Sequence, residues 1–453
     1  MNGADHAAKA LADALLAGEW TLLALRARAS ELFDRRVRWL DPVLRAVLRT
    51  YPAAPRDARD SLARFLAPGL ERIRARLDPP RLPAIRHRLI DEPAMAEARR
   101  WPVPTIATSS ALAAWLGVTP AELDWFADRR GTAARSSSPG LRHYRYRWLA
   151  KRSGGWRLLE IPRPRLRAIQ RRILAEILNH IPPHVAAHGF RRGHSALGHA
   201  SLHAGRAVVI RVDVEDFFPS IAAGRVHGVF RAAGYPEEVA RVLTALTTHR
   251  APPGLAREAS ARHAAAHPCD GTHPLRQREG WRAARRLASA HLPQGAPTSA
   301  ALANLCAFGM DVRLSALASE CRGRYSRYAD DLAFSGDSEL ARGAARLLPR
   351  IAAIIADEGF RPNLRKTRVL RSSARQRLVG LTINARPNVA RHERDRLEAI
   401  LTNCVRHGPA TQNRANHPDF RAHLEGRVAW VGSVNPRHEA RLRALLDAVD
   451  WSC

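Results

Sequence analysis

The sequence predicts an α+β fold in which a central β-region lies between helical segments. The run RAVVIRVDV at 206–214 is apolar and rich in β-branched residues, which is typical of a buried strand. Residues 324–335 have the pattern of a β-hairpin. By contrast, residues 1–100 and the chain after residue 388 place Leu, Ala and Arg at helical spacing. These three observations together predict the α+β class.

Length and composition indicate a soluble globular protein. The chain has 453 residues, which is enough for two or three domains, and it is 46% hydrophobic and 25% charged. No apolar run approaches the roughly 20 residues needed to cross a bilayer, and Asp5 stands where a signal peptide carries positive charge. Five scattered cysteines suggest no disulfide framework and fit a reducing compartment. We therefore expect a cytoplasmic protein with no membrane partner.

The charge of the chain favours a polyanionic partner. The formal net charge is +31, so nucleic acid is the first candidate. Only three of the 73 basic residues are lysines, namely Lys9, Lys151 and Lys366, which leaves 70 arginines. This skew can also arise from genomic base composition, so charge supports nucleic-acid binding without proving it.

The N-terminal third is predicted to be helical. Residues 1–100 carry no motif that we can interpret, whereas 109–128 have the pattern of two short helices around Gly117. The second helix begins with a capping box formed by Thr119 and Glu122. A packed helical hairpin is favoured over a DNA-binding helix-turn-helix, because the second helix is acidic and aromatic. Residues 132–140 have the composition of a linker.

A basic and aromatic segment follows. Residues 141–175 contain eleven Lys or Arg and one Glu, interleaved with Tyr144, Tyr146, Trp148 and Trp156. Basic groups among aromatic rings suit contact with the phosphate backbone and stacking on bases. The alternative is a solvated basic face.

After the strand at 206–214 we expect alternating helices and short strands. Residues 250–290 are poor in Val and Ile and rich in Ala, Arg and His, so we interpret them as an insertion. The remaining predicted elements are a helix at 225–247, a tight loop and long helix at 291–318, a helix at 339–358, a strand or hairpin at 375–384, a helix that ends at Gly408, and a helix that begins at Asn435 and Pro436.

Adjacent acidic side chains in the hairpin suggest a metal site. On a turn, Asp330 and Asp331 can both reach one site, where they would repel each other unless a cation lies between them. Asp213, at the end of the strand 206–214, is the candidate third ligand. Three such carboxylates can hold two Mg²⁺ ions about 4 Å apart, with Mn²⁺ as the alternative ion. The competing interpretation is that both are ordinary turn residues.

A second cluster of metal-binding residue types lies in the insertion. His263, His267, Cys269 and His273 have a spacing that a zinc site can use. The insertion is His-rich throughout, however, and three His with one Cys is an uncommon structural set. We favour no zinc site here.

The neighbours of the three acids resemble the motifs of reverse transcriptases. Six segments match in order and spacing over about 141–384. They are the fingers motif WLAKRSGGWRLLEIPRPRLRAIQRRIL (148–174), the first palm motif VDVEDFFPSI (212–221), the second palm motif LPQGAPTSAALANL (292–305), the catalytic box YADD (328–331), the fourth palm motif GFRPNLRKTRVL (359–370) and the primer-grip region RLVGLTIN (377–384).

Within that family the sequence is most similar to bacterial retron reverse transcriptases. The segment WLGVTPAELDWFAD resembles their opening segment, and LPQGAPTS is their usual wording of the second palm motif. Their Asn-Ala-x-x-His element is matched by residues 199–203, with His199 in place of Asn. Their Val-Thr-Gly element is matched by Leu378-Val379-Gly380.

The resemblance implies a right-hand polymerase with a helical N-terminal extension. The palm would hold an antiparallel sheet and helices, with fingers before it and a helical thumb after it. The implied segments are a helical extension of unknown role at 1–100, a helical hairpin and linker at 101–140, fingers at 141–205, a palm at 206–384 with its insertion at about 250–290, and a thumb at 385–453.

The resemblance also assigns roles to individual residues. Asp213, Asp330 and Asp331 would be catalytic and would bind metal together with the carbonyl of Val214. The nucleotide would contact Lys151, Arg157, Phe218, Gln294, Gly295 and Lys366, where Phe218 excludes a 2′-hydroxyl and Lys366 screens or protonates the leaving pyrophosphate. Template or primer would contact Arg163, Arg165, Arg167 and Tyr328.

The implied activity is RNA-directed DNA polymerisation. Retron enzymes prime on a 2′-hydroxyl of a cognate noncoding RNA and make a branched RNA–DNA hybrid (msDNA) from deoxynucleoside triphosphates. The resemblance thereby implies a noncoding RNA, a DNA product and a defence effector protein as partners in antiphage defence. Two alternatives stay open: a reverse transcriptase of an abortive-infection or diversity-generating lineage, and a non-catalytic RNA-binding scaffold of a defence complex.

Overall fold

The computed structural model of the protein is a mixed structure of helices and sheets, which confirms the predicted α+β class. It describes residues 3–16, 20–33, 37–55, 59–77, 82–83, 85, 101–129, 131–136, 138–151, 156–265 and 274–451.

Twenty α-helices are found within the described residues. They are α1 (Gly3–Leu16), α2 (Leu22–Phe33), α3 (Asp41–Thr50), α4 (Arg59–Arg76), α5 (Ser109–Leu116), α6 (Pro120–Ala127), α7 (Thr132–Arg135), α8 (Pro164–Glu176), α9 (Ala196–Leu202), α10 (Phe217–Ser220), α11 (Ala223–Ala232), α12 (Glu237–Thr247), α13 (Pro253–Ala265), α14 (Pro274–Ala288), α15 (Ser299–Cys306), α16 (Phe308–Glu320), α17 (Ser338–Asp357), α18 (Arg391–His407), α19 (Phe420–Val434) and α20 (Pro436–Asp447).

Nine strands form three sheets in the part of the chain that the structure describes. They are β1 (Tyr144–Ala150), β2 (Trp156–Pro162), β3 (Val208–Asp213), β4 (Arg324–Tyr328), β5 (Asp331–Gly336), β6 (Arg368–Arg371), β7 (Arg377–Leu378), β8 (Leu381–Thr382) and β9 (Asn388–Val389). The sheet orders are β1-β2, β4-β5-β3-β6 and β7-β8-β9.

The chain divides into two compact units. The first comprises Met1–Ser137 and His227–Leu246, and the second comprises Ser138–Val226 and Thr247–Cys453. The domain limits implied by the resemblance stay predictions.

The first unit is helical, as expected for its N-terminal part. Helices α1 to α4 share a core of leucines, among them the fully buried Leu11, Leu25, Leu44 and Leu66. This packing supplies the stability that short helices lack in isolation.

The capping predictions for 109–128 are confirmed. Thr119 Oγ1 accepts a hydrogen bond from the Glu122 amide at 3.2 Å, and Glu122 Oε2 accepts one from the Thr119 amide at 3.0 Å. The linker prediction for 132–140 is partly wrong, because its first four residues form α7. The carboxylate of Asp128 accepts hydrogen bonds from the amides of Thr132 and Ala133 at 2.7 and 3.0 Å and so caps this helix.

The second unit contains the four-stranded antiparallel sheet. Its strand β3 is buried, with Val208, Val209 and Ile210 fully inaccessible, as the apolar run predicted. The hairpin β4–β5 and helix α17 also occur where the sequence predicted them. Helix α17 packs on β3 and β5, whereas Val209 and Ala333 join a core with Ala200 of α9.

Two of the predicted helices are interrupted. The helix expected at 225–247 is divided into α11 and α12, because Gly234 adopts φ of +93° and Pro236 follows. The helix after the loop at 291–298 bends by 51° between α15 and α16. No single described helix has the length and apolar composition of a membrane span, although α15 and α16 taken together meet that test.

The C-terminal helices follow their capping signals. Helix α18 ends at Gly408, which adopts φ of +79°, a backbone angle that favours glycine. Helix α20 has Asn435 as its N-cap and Pro436 at its first position. Helices α18 to α20 bury Leu401, Leu424 and Leu442 in the core that also contains Val209 of β3.

Candidate active site

The three predicted acids lie near one another at one end of β3 and β5, the two central strands of the four-stranded sheet. In the β3–β5 ladder Asp213 lies directly opposite Asp331, so both side chains point to the same face. The amide of Val214 donates a hydrogen bond to the carbonyl of Asp330 at 2.9 Å. The end of a buried strand and the tip of a hairpin are therefore joined by backbone pairing.

The tip of the hairpin is held by a buried guanidinium. Arg327 is fully buried, and its Nη1 donates to the carbonyl of Ala329 at 3.1 Å and to Asn304 Oδ1 at 2.9 Å. Its Nε and Nη2 donate to the two carboxylate oxygens of Asp311 at 2.8 and 2.7 Å. Ala329 adopts φ of +58°, the left-handed region that a non-glycine residue rarely occupies. Arg327 thus contacts the strained residue that directly precedes Asp330.

Residues 186–189, which precede α9, pack against the same turn of the β4–β5 hairpin. The amide of His188 donates to the Arg327 carbonyl at 2.7 Å, and the Arg327 amide donates to the Ala186 carbonyl at 2.8 Å. A Cβ added at Gly189 would lie 2.6 Å from the amide nitrogen of Ala329, so only glycine fits there. The backbone of the turn is therefore enclosed on the side that faces away from the carboxylates.

Burial and mutual repulsion raise the pKa of both hairpin acids. Burial is the larger cause for Asp330, and the charges of Asp331 and Asp213 raise its pKa further, whereas Arg157 lowers it. Burial also raises the pKa of Asp331, and Arg211 opposes this shift. The three carboxylates are therefore close enough to disfavour one another's charge, as two anions at one site should.

Cationic side chains neutralise part of this charge. Arg211 Nη2 lies 2.7 Å from both carboxylate oxygens of Asp331. Lys366 Nζ lies 3.2 and 3.3 Å from the carboxylate oxygens of Asp213, and Asn363 Nδ2 donates to Asp213 at 3.1 Å. Lys366 thus lies beside Asp213, one of the predicted metal ligands, and its role towards pyrophosphate stays a prediction.

The three acids supply the oxygen ligands of a divalent cation site, but their carboxylates do not yet converge on one point. Carboxylate oxygens are the ligands that Mg²⁺ and Mn²⁺ prefer, and the raised pKa values indicate negative charge that a cation would relieve. Among the residues that the structure describes, no three His, Cys, Asp or Glu side chains already converge on a common point. The donor set therefore fits a metal once Arg211 and Lys366 release the carboxylates.

Two of the predicted nucleotide-binding residues, Lys151 and Arg157, lie near the end of β3, and their binding to a nucleotide stays a prediction. Lys151 Nζ lies 4.0 Å from Asp216 Oδ1, close to the end of β3, and Arg157 of β2 acts on the pKa of Asp330. Phe218 is half-buried, with its ring centroid 6.0 Å from that of Phe190. Phe217, by contrast, is buried against Phe360, as expected for a core residue.

The loop of the second palm motif contacts the fingers hairpin. The Gln294 carbonyl accepts a hydrogen bond from the Glu160 amide at 2.8 Å. Gly295 adopts φ of +127°, and a Cβ there would lie 3.0 Å from the Glu160 carbonyl oxygen. Gly295 therefore allows a close approach to the backbone of β2, and its contact with a nucleotide stays a prediction.

The predicted template arginines lie at the start of α8. Arg163 is its N-cap residue, and Arg165 and Arg167 follow in the first turn. Tyr328 is half-buried, with its ring centroid 5.8 Å from that of His199. Binding of these residues to nucleic acid stays a prediction.

The aromatic residues of the fingers hairpin are engaged within the protein. The Arg262 guanidinium of α13 lies 4.5 Å from the ring centroid of Trp156 and 5.1 Å from that of Trp148. Tyr144 is buried and stacks on His249 with ring centroids 4.0 Å apart. The interpretation of these rings as surfaces that stack on bases is therefore wrong for Tyr144. Arg262 packs against the two tryptophans, of which Trp156 remains 38% exposed.

A buried histidine pair lies behind the hairpin. His203 contacts Ser335 Oγ through Nδ1 and Ser326 Oγ through Nε2, both at 2.7 Å, and His199 Nδ1 lies 2.7 Å from the same Ser326 hydroxyl. Burial lowers the pKa of His199 to about 2 and that of His203 to about 3. The element that resembles Asn-Ala-x-x-His therefore packs as neutral imidazoles against β4 and β5.

Sequence reasoning missed several residues at this site. Arg211 could have been identified, because it precedes Asp213 by two residues and so lies on the same face of β3. No sequence pattern identified Asp311 or Asn304, because only contacts between helices and strands bring these two residues to Arg327. The zinc cluster is not tested: His267, Cys269 and His273 lie outside the described residues.

Known proteins similar to this chain are consistent with the site. Residues 149–383 match the family described as reverse transcriptase (RNA-dependent DNA polymerase). The chain is 37% identical over 350 residues to the retron Mx65 reverse transcriptase of Myxococcus xanthus, which covers 77% of this chain and 74% of that protein. It is 34% identical over 353 residues to the retron Mx162 reverse transcriptase of the same organism, which covers 75% of this chain and 66% of that protein.

A solved foamy viral protease–reverse transcriptase in complex with double-stranded DNA is similar at 13% identity and a TM-score of 0.31, over 70% of this chain and 45% of that one.

Proposed function

Because the chain belongs to the retron reverse transcriptases, a family of RNA-directed DNA polymerases, we propose that it makes msDNA from a cognate noncoding RNA by two-metal nucleotidyl transfer. The observation that supports this most directly is the pairing of Asp213 with Asp331 beside Asp330. A protein that only bound RNA would have no use for three mutually repelling carboxylates in a strongly basic chain.

In this proposal Asp213, Asp330 and Asp331, with the carbonyl of Val214, hold two Mg²⁺ ions. Bound ions of this kind supply Lewis acidity for an attacking hydroxyl and charge compensation for leaving pyrophosphate. The protein's own part begins with Arg211 and Lys366, which balance the carboxylates until a metal and a nucleotide are present.

The nucleotide-binding side chains orient the reacting groups. Lys151 and Arg157 bind the triphosphate, and their positive charge stabilises the negative charge that develops on it. Phe218 packs beneath the deoxyribose, where a 2′-hydroxyl would clash with its ring. The primer hydroxyl loses its proton to solvent and its oxygen forms a bond to the α-phosphorus. The bond from that phosphorus to the oxygen that bridges it to the β-phosphate breaks, and pyrophosphate leaves beside Lys366.

The partners follow from the proposed reaction. The primer is a 2′-hydroxyl of the noncoding RNA, the template is the same RNA, and the product is a branched RNA–DNA hybrid. Arg163, Arg165 and Arg167 bind template phosphates, which gives affinity without sequence specificity. The hybrid would act with an effector protein in antiphage defence.

Replacing Asp330 and Asp331 by Asn tests the catalytic part. We expect incorporation of one deoxynucleotide on an RNA template to fall by about a thousandfold or more, because the loss of metal ligands removes several kcal/mol of transition-state stabilisation. Affinity for the RNA should stay within about twofold, since arginines hold it. Asp357→Asn is the matched control, because Asp357 is a largely exposed acid on α17. Incorporation at the wild-type rate in both Asp330→Asn and Asp331→Asn would refute the assignment.

The retron-specific part needs a different measurement. The protein should be purified from its host and the co-purifying nucleic acid sequenced before and after treatment with a 2′,5′-debranching enzyme. We expect a short DNA joined to an RNA, and release of the DNA by debranching. Linear DNA alone would favour another lineage of reverse transcriptase.

A further inference from the structure

The insertion between the first and second palm motifs is a helical hairpin with a fixed position. Helices α13 and α14 cross closely at Gly280, where an added Cβ would lie 3.2 Å from Ser260 Oγ and 3.3 Å from its carbonyl oxygen. Leu287 of α14 joins Leu158 of β2, Ala256 and Ala259 in one buried cluster. The hairpin is therefore packed onto the fingers strands.

The C-terminal end of α14 lies beside the proposed nucleotide site. Arg286 Nη1 donates to Asp216 Oδ2 at 2.9 Å, and Lys151 Nζ is 4.0 Å from Asp216 Oδ1. Asp216 follows the metal-site residue Asp213 by three positions and precedes Phe218 by two. The C-terminal end of α14 therefore borders the place where, in the proposed function, the incoming triphosphate would be bound.

The outer face of α14 carries an exposed aromatic ring among arginines. Trp281 is 60% exposed, which is unusual for so large an apolar side chain. The Arg285 guanidinium, one turn later on the same face, lies 5.4 Å from the ring centroid of Trp281. Arg282 is also exposed. Gly280 and Leu287 mark the opposite, buried face.

We propose that Trp281, Arg282 and Arg285 bind the single-stranded, not yet copied part of the template RNA, by stacking on a base and by contacts to phosphates. This inference rests on the proposed polymerase function. Exposed aromatic rings combined with arginines suit single strands, because unpaired bases offer their faces for stacking. Both a double helix and an apolar protein partner fit less well: paired bases present no free face, and the ring is flanked by charged groups.

The exposed ring favours unpaired template, and the contact of α14 with Asp216 places it near the proposed point of incorporation. The newly formed duplex extends from the primer terminus away from the incoming nucleotide, whereas the unpaired template continues beyond that nucleotide. Trp281 precedes Arg286 by five residues, which is a rise of about 7.5 Å along a helix. The ring therefore lies within a few nucleotides' length of the site that Arg286 and Lys151 border.

Trp281→Ala tests the proposal in a binding assay without catalysis. The probes are an RNA template annealed to a DNA primer with a six-nucleotide 5′ RNA overhang, and the same duplex with a blunt end. We expect affinity for the overhang probe to fall about tenfold and affinity for the blunt duplex to stay unchanged. Trp281→Phe should retain most of the affinity, because the ring can still stack. Trp125→Ala, which removes another exposed tryptophan, is the matched control.

A second measurement uses the wild-type protein, so it does not depend on how the variant folds. Template RNA carrying 4-thiouridine at single overhang positions is irradiated, and the crosslinked peptides are identified. We expect the peptide that contains Trp281 to crosslink from the first few overhang positions. Wild-type affinity of Trp281→Ala for the overhang, equal losses on both probes, or no crosslink to this peptide would overturn the proposal. Incorporation at the wild-type rate in both Asp330→Asn and Asp331→Asn would instead overturn the proposed function, so the two failures can be distinguished.

Discussion

Asp311→Asn should unfold the protein at a markedly lower denaturant concentration. The substitution keeps the size of the side chain but removes the carboxylate that faces the buried guanidinium of Arg327. Both side chains are fully inaccessible, so no solvent can replace the lost charge. Burial by itself works to lower the pKa of Arg327, but Asp311 outweighs it and the pKa is raised, so the guanidinium stays charged.

The expected size of the effect follows from these contacts. Removing one partner of a buried ion pair costs about 3–5 kcal/mol, because an uncompensated charge remains in the interior. A domain is stable by only about 5–15 kcal/mol, so the loss is a large part of the total. Equilibrium unfolding in urea, followed by circular dichroism, measures it. Glu320→Gln is the control, because Glu320 forms a solvent-exposed ion pair with Arg350, whose loss should leave the unfolding midpoint almost unchanged.

A fully apolar replacement separates stability from positioning of the turn. In the triple variant Asp311→Leu, Arg327→Met and Tyr325→Phe, no charge is left buried, and the Tyr325 hydroxyl that donates to Asp311 is removed as well. Such replacements are often close to neutral for stability, so we expect it to unfold within about 2 kcal/mol of the wild type. The donor to the Ala329 carbonyl is nevertheless lost.

We therefore expect kcat of the triple variant to fall about ten- to a hundredfold while KM for the nucleotide is unchanged. A hydrogen bond from a charged group contributes about 1.5–3 kcal/mol, and here it holds the turn that carries Asp330. Single-turnover incorporation of a deoxynucleotide measures this fall in rate. A folded triple variant with wild-type kcat would refute the positioning role, and an Asp311→Asn variant as stable as Glu320→Gln would refute the buried ion pair.

Two further predictions concern the sugar and the buried imidazoles. Phe218→Ala should lower the preference for deoxynucleotides about tenfold or more in single-turnover incorporation, because the ring that clashes with a 2′-hydroxyl is gone; an unchanged ratio of rates would contradict it. In the folded protein His199 has a pKa of about 2, so it stays neutral as the pH falls below about 6.5. In the unfolded chain the same side chain takes up a proton in that range. The free energy of unfolding therefore falls by about 1.4 kcal/mol for each pH unit below about 6.5. His199→Asn should reduce this slope between about pH 6.5 and 5 in urea titrations, and equal slopes would speak against the neutral buried imidazole.

Local patterns predicted much of the fold. The apolar run of β3, the hairpin that follows, and the capping box at Thr119 and Glu122 each occur where expected. These features depend on residues close together in the chain, whose preferences can be recognised without the fold. The missed helix break at Gly234 and the missed short helix α7 in the linker were also local, and Asp128 could have been identified as the acceptor for the first amides of α7.

Contacts between distant residues account for the other differences. The residues next to Trp148 and Trp156 in sequence do not indicate that the guanidinium of Arg262, about a hundred positions later, packs on both rings. Likewise, the pairing of Lys366 with Asp213 requires the fold that brings β6 alongside β3. Predictions from composition, such as stacking by the fingers aromatics, were weakest because they ignore what a side chain already contacts.

The sequence alone determined which chemistry is available: three acids, their order along the chain, and the basic residues that precede and follow them. The tertiary structure decided how that chemistry is arranged, with Asp213 opposite Asp331, Arg327 beneath Ala329, and α14 beside Asp216. The physical reason is that carboxylates repel and guanidiniums resist burial, so each is tolerated only where a partner from another part of the chain compensates it. Such partners are brought together by packing of the core, which no local pattern specifies.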